Sequence, residues 1–392
     1  MTLENGVHRG NPKAKVIAWD WEWHQHGDVK EIIARLPKSL WLMSVSEWDL
    51  PLNRGGIRTT VSEYSVSAVG PGPKAIRHWG WAKEAGLKTV AKVQLNNSWE
   101  LSTVPYLPVM DLVAEHCHNL ASMGLDGMML SWTLGGYPSP NLEIAARFSR
   151  SSSPLTPKEE PKAGAIPVVE DVLNSLATQQ FGTEGAALAR KAWNAFSTAF
   201  QEYPLDASLM YFCPVHVGPA NPLYLEKTGY AATMTGISYD DVTKWRGPYP
   251  VDVFISQFEK LAEGWRSGIP FLKEAAEKVP PERSEDVRAE LRYAQVAAIH
   301  FQSVANQARF TVARDKLADS AGTLSVEERN ALRNEIRRVL QSEIVLARQL
   351  FILAQEDSRI GFEAANQYFY VPLDLVNKVV NCRWLLEHFE PN

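Results

Sequence analysis

Residues 15–23, KVIAWDWEW, decide the fold, because a short apolar run, Lys15–Ala18, breaks off into alternating indoles and carboxylates. An apolar run of that length bounded by polar residues reads as a strand. The same design recurs three times downstream. Leu40–Val45 leads into SEWD at 46–49, Thr89–Leu95 into NNSWE at 96–100, and Gly127–Leu130 into SWTLGGYPSP at 131–140. Between these runs Val29–Leu36, Lys74–Ala85 and Val109–Met123 read as helices, the last two followed by Gly86 and Gly124 where a helix end favours glycine. Strands alternating with helices imply a parallel sheet with right-handed crossovers.

Only four such units are visible, and the pattern stops near residue 150, whereas a complete eight-stranded barrel takes about 250 residues. The expected fold class is therefore α/β followed by all-α. Residues 1–148 are read as a partial (β/α) TIM-type barrel, either its C-terminal half or a smaller open sheet. Residues 149–167, SRSSSPLTPKEEPKAGAIP, have the composition of a linker or loop. Residues 168–392 read as a helical domain, with helices over 168–180, 184–202, 251–263, 285–319, Val326–Gln355 and Leu373–Phe389. Ser325 and Glu328 have capping-box spacing. The stretch 357–370, DSRIGFEAANQYFY, is expected at the interface of the two parts, and YDDVTKWRGPY at 239–249 is open between interface and ligand roles.

Composition narrows the partners. A net charge of −5 and a pI near 6.0 give no basic field for nucleic acid. No window reaches the roughly 20 apolar residues of a membrane span, and the N-terminus has no export signal, so a cytoplasmic chain is expected. Cys117, Cys213 and Cys382 form no CxxC or zinc spacing and are expected as buried thiols. No cofactor and no metal are expected, since His24 and His26 lack a third ligand. Nine of the 13 tryptophans (19, 21, 23, 41, 48, 79, 81, 99 and 132) precede residue 150, which makes the strand ends the place to look for a site.

In a β/α barrel the reacting groups sit at the C-terminal ends of the strands. Indoles there offer flat faces to sugar rings, while carboxylates and amides exchange hydrogen bonds and protons with hydroxyls. Glycosidic cleavage needs two carboxyl functions, or one plus a substrate group. The candidate catalytic acids are Glu100, Glu47, Asp20 and Glu22. Candidate sugar-binding residues are Trp19, Trp21, Trp48, Asn96, Asn97, Trp99, Trp132 and Tyr137, with Glu63 and Tyr64 as weaker candidates. Each has a competing structural reading: Trp residues packed under helices, Glu47 in a salt bridge with Arg54, and Glu100 as a first-turn helix residue.

WDWEW, SEWD, AKVQLNNSWE and LSWTLGGYPSPN, in that order, resemble the second half of the barrel in bacterial glycoside hydrolases related to hexosaminidases, and DSRIGFEAANQYFY looks like part of the same group. The resemblance implies a TIM-type barrel with a helical tail, acting as a glycosidase on an amino sugar or related glycan. Such enzymes place an Asp-Glu pair after the fourth barrel strand, and no matching unit precedes Lys15. In another class of retaining barrels the nucleophile lies at strand seven, which corresponds to Glu100. Two further readings stay open: a glycan-binding protein without catalysis, and a helical interaction protein with the β/α part as scaffold.

Overall fold

The computed structural model describes residues 2–131, 137–149, 166–233, 235–319, 323–363 and 368–389. Helix α1 (Thr2–Gly10) precedes strand β1 (Ile17–Trp19), helix α2 (Val29–Ala34) and strand β2 (Trp41–Val45). A hairpin of β3 (Pro51–Arg54) and β4 (Ile57–Thr60) follows, then α3 (Pro73–Glu84), β5 (Lys88–Val93), α4 (Met110–Ser122), β6 (Gly127–Leu130) and α5 (Pro140–Ser149). The main sheet has the order β1-β2-β5-β6 and is parallel throughout. All four strands fall where the sequence predicts them. Their consecutive order with right-handed helical crossovers places α2, α3 and α4 on one face.

Side-chain alternation sorts that sheet. Leu42 packs with Ile33 of α2 and Ala82 of α3, on the helix-covered face. On the opposite face the register aligns Ile17 with Trp41, Trp19 with Met43 and Val90, and Val45 with Lys92 and Met129. There Val45, Val90 and Lys92 are buried, whereas Ile17 and Met129, on the outer strands, are exposed. Among the described residues neither β1 nor β6 has a second strand neighbour.

The helical part comprises α6 (Val169–Phe200), α7 (Ala207–Phe212), α8 (Val242–Trp245), α9 (Val251–Glu277), α10 (Ser284–Asp319) and α11 (Val326–Glu356). A short hairpin, β7 (Phe362–Glu363) with β8 (Tyr368–Phe369), leads to α12 (Pro372–His388). Helix α6 bends at Gly182, whose φ of 70° explains the break expected between 180 and 184. The Ser325–Glu328 capping box is formed at the start of α11. One core cluster runs without interruption from Trp79 and Val93 of the α/β part to Trp193, Phe196 and Trp265 of the helices. The expected linker lies almost wholly in 150–165, outside the described residues.

Inside the bundle, Lys378 and Glu343, both fully buried, form an ion pair at 2.9 Å. Ser303 and Asn306 donate to Glu343, and Lys378 also donates to the Asn221 carbonyl, so both charges are satisfied. Cys117, Cys213 and Cys382 are buried and unbridged. Among the described residues no helix is long and apolar enough to cross a membrane, and no cluster of three or more metal-ligating side chains occurs.

Candidate active site at the strand ends

The bursts after β1 and β2 and the segment after β4 converge on a nest of aromatic rings. Trp21 lies 5.1 Å from Trp19, 4.4 Å from Trp48 and 5.5 Å from Tyr64, the last nearly parallel at 24°. Lys92, near the C-terminal end of β5 and on the same face as Trp19, brings its ammonium 4.5 Å from the Tyr64 ring and 5.5 Å from the Trp19 ring. Lys74 covers Trp48 from α3 at 3.8 Å. Desolvation pulls the Lys92 ammonium down to about 8, against the pull of Glu47 and Glu63, which favour its charge. Trp19 and Trp21 are half-buried, while Trp48 and Tyr64 are buried.

Two acids at this nest have raised proton affinity. Glu47, fully buried, accepts from the Ser46 hydroxyl and from Ser65 N at 2.9 Å, yet burial pushes it up to about 7. Glu63, on the segment after β4, accepts from Tyr64 N at 3.0 Å and from the Tyr211 hydroxyl, and burial raises it also. Tyr211 comes from the helical part. It stands 6.1 Å from Trp99, and its carbonyl accepts from Tyr368 of the second hairpin at 3.0 Å. The ring of Tyr368 in turn stacks on His216 at 4.4 Å. The helical part thus walls one side of the strand ends.

Other candidates are committed to holding loops. Glu100 is buried and accepts from Ser65 Oγ at 2.8 Å, Val66 N at 2.6 Å, Ser67 N at 3.2 Å and Ser98 Oγ at 2.5 Å. It is an anchor for segment 65–67, and no helix begins there. Asp20 points to the helix-covered face, where Ser44 Oγ at 2.5 Å and His78 Nδ1 at 2.6 Å bind it. Asn96 donates to the Tyr137 carbonyl at 3.0 Å and receives the Ser139 hydroxyl. Asn97 donates to the Ser102 and Val104 carbonyls at 3.2 and 2.7 Å. Tyr137 is half-buried, with the Arg359 guanidinium 5.7 Å from its ring centre. Trp132 lies outside the described residues. Arg54 donates to the Ser67 carbonyl at 3.0 Å, so the Glu47–Arg54 salt bridge is not the arrangement found.

Glu22 instead borders a cleft of about 600 Å³ with His24, Trp48, Asp49, Lys74, Arg77, His78 and Trp81. Its backbone is left-handed, at φ 61°, which turns the chain away from the strand after Trp21. Gly72 closes this region from below, because a Cβ there would fall 2.1 Å from the Trp48 carbonyl oxygen. Sequence reasoning passes over Lys92 and Tyr211. A charged side chain in the middle of KTVAKVQL marks Lys92, but nothing local marks Tyr211.

The segment expected at an interface does bridge the two parts. Tyr293 donates to Asp357 at 2.8 Å, Gly361 N donates to the Thr103 carbonyl at 2.9 Å, and His300 meets the Tyr370 hydroxyl at 2.9 Å. Trp245 and Tyr249, within the 239–249 stretch, are core residues.

No family model and no curated protein matches this sequence. Among solved structures the chain is similar to a GH138 enzyme targeting pectin rhamnogalacturonan II, with a TM-score of 0.51 and 10% identity over 99% of this chain. The match covers 58% of that enzyme, so the chain spans less than two thirds of its length. At this identity the likeness speaks to the fold alone. It supports a glycoside-hydrolase-like fold and gives no support to the hexosaminidase-like refinement.

Proposed function

We propose that the strand ends form the sugar-binding and catalytic face of a glycoside hydrolase, with the four-stranded sheet as part of a (β/α) barrel. The observation that carries this reading is the aromatic nest around Lys92 with Glu47 and Glu63 beside it. A sugar ring lies along the cleft bordered by Trp48 and Trp81, with the half-buried Trp19 and Trp21 at its side. A carboxyl group protonates the departing glycosidic oxygen, and an ionised carboxylate stabilises the oxocarbenium-like transition state. Glu63 and Glu47 are the proton donors we favour, because burial keeps both protonated further toward neutral pH than an ordinary glutamate. Glu22, on the open cleft, is the carboxylate we favour for the second role. Asp20 and Glu100 support the loops that carry these groups.

The cleft sets Lys74 and Arg77 against Glu22 and Asp49, with Arg77 paired to Asp49 at 3.3 Å, so its charge does not select between an acidic glycan and the amino sugar implied by the sequence resemblance. The substrate panel that separates the two contains pectin rhamnogalacturonan II and chromogenic amino-sugar glycosides. Trp21→Ala is expected to raise KM with a smaller change in kcat. Glu63→Gln is expected to lower kcat while calorimetric binding persists. Full turnover by a Glu47→Gln/Glu63→Gln double variant removes both acids from the mechanism. The second reading, glycan binding without catalysis, draws on the complete burial of Glu47 and Glu100, and it predicts binding by wild type with no turnover.

A further inference from the structure

A second cavity, of about 420 Å³, lies where the α/β part meets the helices, and none of the strand-end candidates lines it. Its size falls within the ~300–1,000 Å³ of small-molecule sites. The loop after β5, the start of α5, the middle of α6, the first turns of α10 and the segment after α11 all contribute to its wall. The charges there do not balance. Four carboxylates, Glu143, Glu282, Asp286 and Glu290, stand against two guanidiniums, Arg283 and Arg359. Arg359 is already neutralised by Asp357, outside the lining, through bonds of 2.8 and 2.6 Å. Glu143 is paired with Arg147 at 3.0 Å. That leaves Glu282, Asp286 and Glu290 against Arg283 alone.

Glu290 is the most deeply buried of these acids, 2% exposed. Its oxygens accept from the Tyr106 hydroxyl at 3.1 Å and the Trp193 indole at 2.7 Å, both neutral donors, and among the described residues no cation pairs with it. Burying a carboxyl without a cation is costly, and its lone pairs leave room for further donors. Gln180 points the same way, since its Oε1 is buried in the same lining and accepts no hydrogen bond. Tyr106 and Tyr293 set their rings at 80° to each other with centroids 5.2 Å apart. Their hydroxyls are engaged by Glu290 and Asp357, so the rings supply π faces, which attract cations.

We propose that this cavity binds a small polar molecule carrying a primary ammonium group. The ammonium donates to Glu290, with Asp286 one turn away on the same face of α10 adding its charge. A hydroxyl on the body of the ligand supplies the donor that Gln180 Oε1 lacks. An anionic ligand meets the uncompensated acids, and a neutral polyol leaves Glu290 without a cation. Burial pushes Glu290 up to about 7, while Tyr106 and Tyr293, both raised by burial, stay neutral below that range. An ammonium beside Glu290 favours its ionised form, so binding to the protonated protein releases that proton and affinity rises with pH. The cavity shares no lining residue with the strand-end cleft, so the proposal stands apart from the reading of function.

Calorimetric titration of the full chain with glucamine, sorbitol and gluconate at millimolar concentrations tests this, because the three share one polyhydroxyl skeleton and differ in an ammonium, neutral or carboxylate end. Glucamine is expected to bind at least about tenfold more tightly than sorbitol, the effect of one charge-assisted hydrogen bond, and gluconate more weakly still. Glucamine affinity is expected to rise at least about tenfold between about pH 5.5 and 8. Glu290→Gln is expected to lose both the preference for glucamine and the pH dependence, and Asp286→Asn to weaken binding about threefold. Trp21→Ala, at the strand-end nest, is expected to bind glucamine as wild type does. Sorbitol or gluconate bound as tightly as glucamine overturns the proposal, and so does a wild type that binds no glucamine. Glucamine binding that is flat with pH, unchanged in Glu290→Gln or abolished in Trp21→Ala overturns it too. Should Glu290→Gln fail to fold, the pH profile of wild type and the loss in Asp286→Asn decide.

Discussion

Replacing Glu47 with glutamine tests whether this acid is held for chemistry at the expense of stability. Burial lifts its proton affinity from 4.5 to about 7 in the folded chain. A folded-state value above the unfolded one means that the native state holds the proton more tightly. Its contribution to stability is fully present below about pH 4.5, declines between about 4.5 and 7, and is lost above. At about 1.4 kcal/mol per pH unit, the decline amounts to about 3 kcal/mol. Glutamine keeps one oxygen for Ser65 N and turns its NH₂ toward the Ser46 hydroxyl, which can rotate to accept, and it carries no ionisable proton. Glu47→Gln is therefore expected to match wild type within about 1 kcal/mol near pH 5 and to exceed it by up to about 3 kcal/mol near pH 8. Urea unfolding at the two pH values reads this directly, with Glu290→Gln as a second buried acid raised to about 7. A difference between wild type and Glu47→Gln that does not change with pH refutes the reasoning.

Other consequences are open to measurement. Lys378→Met leaves Glu343 buried without its cation and is expected to cost about 3–5 kcal/mol in urea unfolding, most of it recovered by adding Glu343→Leu. A single-variant loss below about 1 kcal/mol contradicts the buried pair. Glu100→Gln turns an amide NH₂ toward donors that need an acceptor, and about 2–3 kcal/mol of stability should go with it. No loss would mean the 65–67 segment is held by something else. Ser325→Ala should lower stability by about 1 kcal/mol through the lost cap, while wild-type stability would place the start of α11 elsewhere.

Much of the fold was legible because strands and helices announce themselves locally. The four apolar runs gave the strands of the parallel sheet, and the Ser325–Glu328 spacing gave the start of α11. Two hairpins went unread. Arg54-Gly55-Gly56-Ile57 carried a turn signal, since both glycines adopt positive φ, at 56° and 80°, between short alternating strands. β7 and β8 are two residues each, too short for a periodic signal. In the candidate site, Trp19, Trp21, Trp48 and Glu47 are legible as candidates because strand ends collect such residues. The division of labour was not. Asp20 and Glu22 differ by two positions, yet the turn at Glu22 sends one beneath a helix and the other to the cleft. Glu63 is set apart by Tyr211, 148 positions away in the chain, whose hydroxyl reaches it. That contact depends on how the helices pack against the strand ends.

The most direct test of the central claim is release of sugar by the purified chain from rhamnogalacturonan II pectin and from chromogenic glycosides, compared with Glu47→Gln, Glu63→Gln and the double variant. The account predicts turnover by wild type, a loss of at least about 100-fold in kcat for the double variant, and retained calorimetric binding. Wild-type turnover that the double variant keeps, or glycan binding by wild type with no turnover, would contradict it.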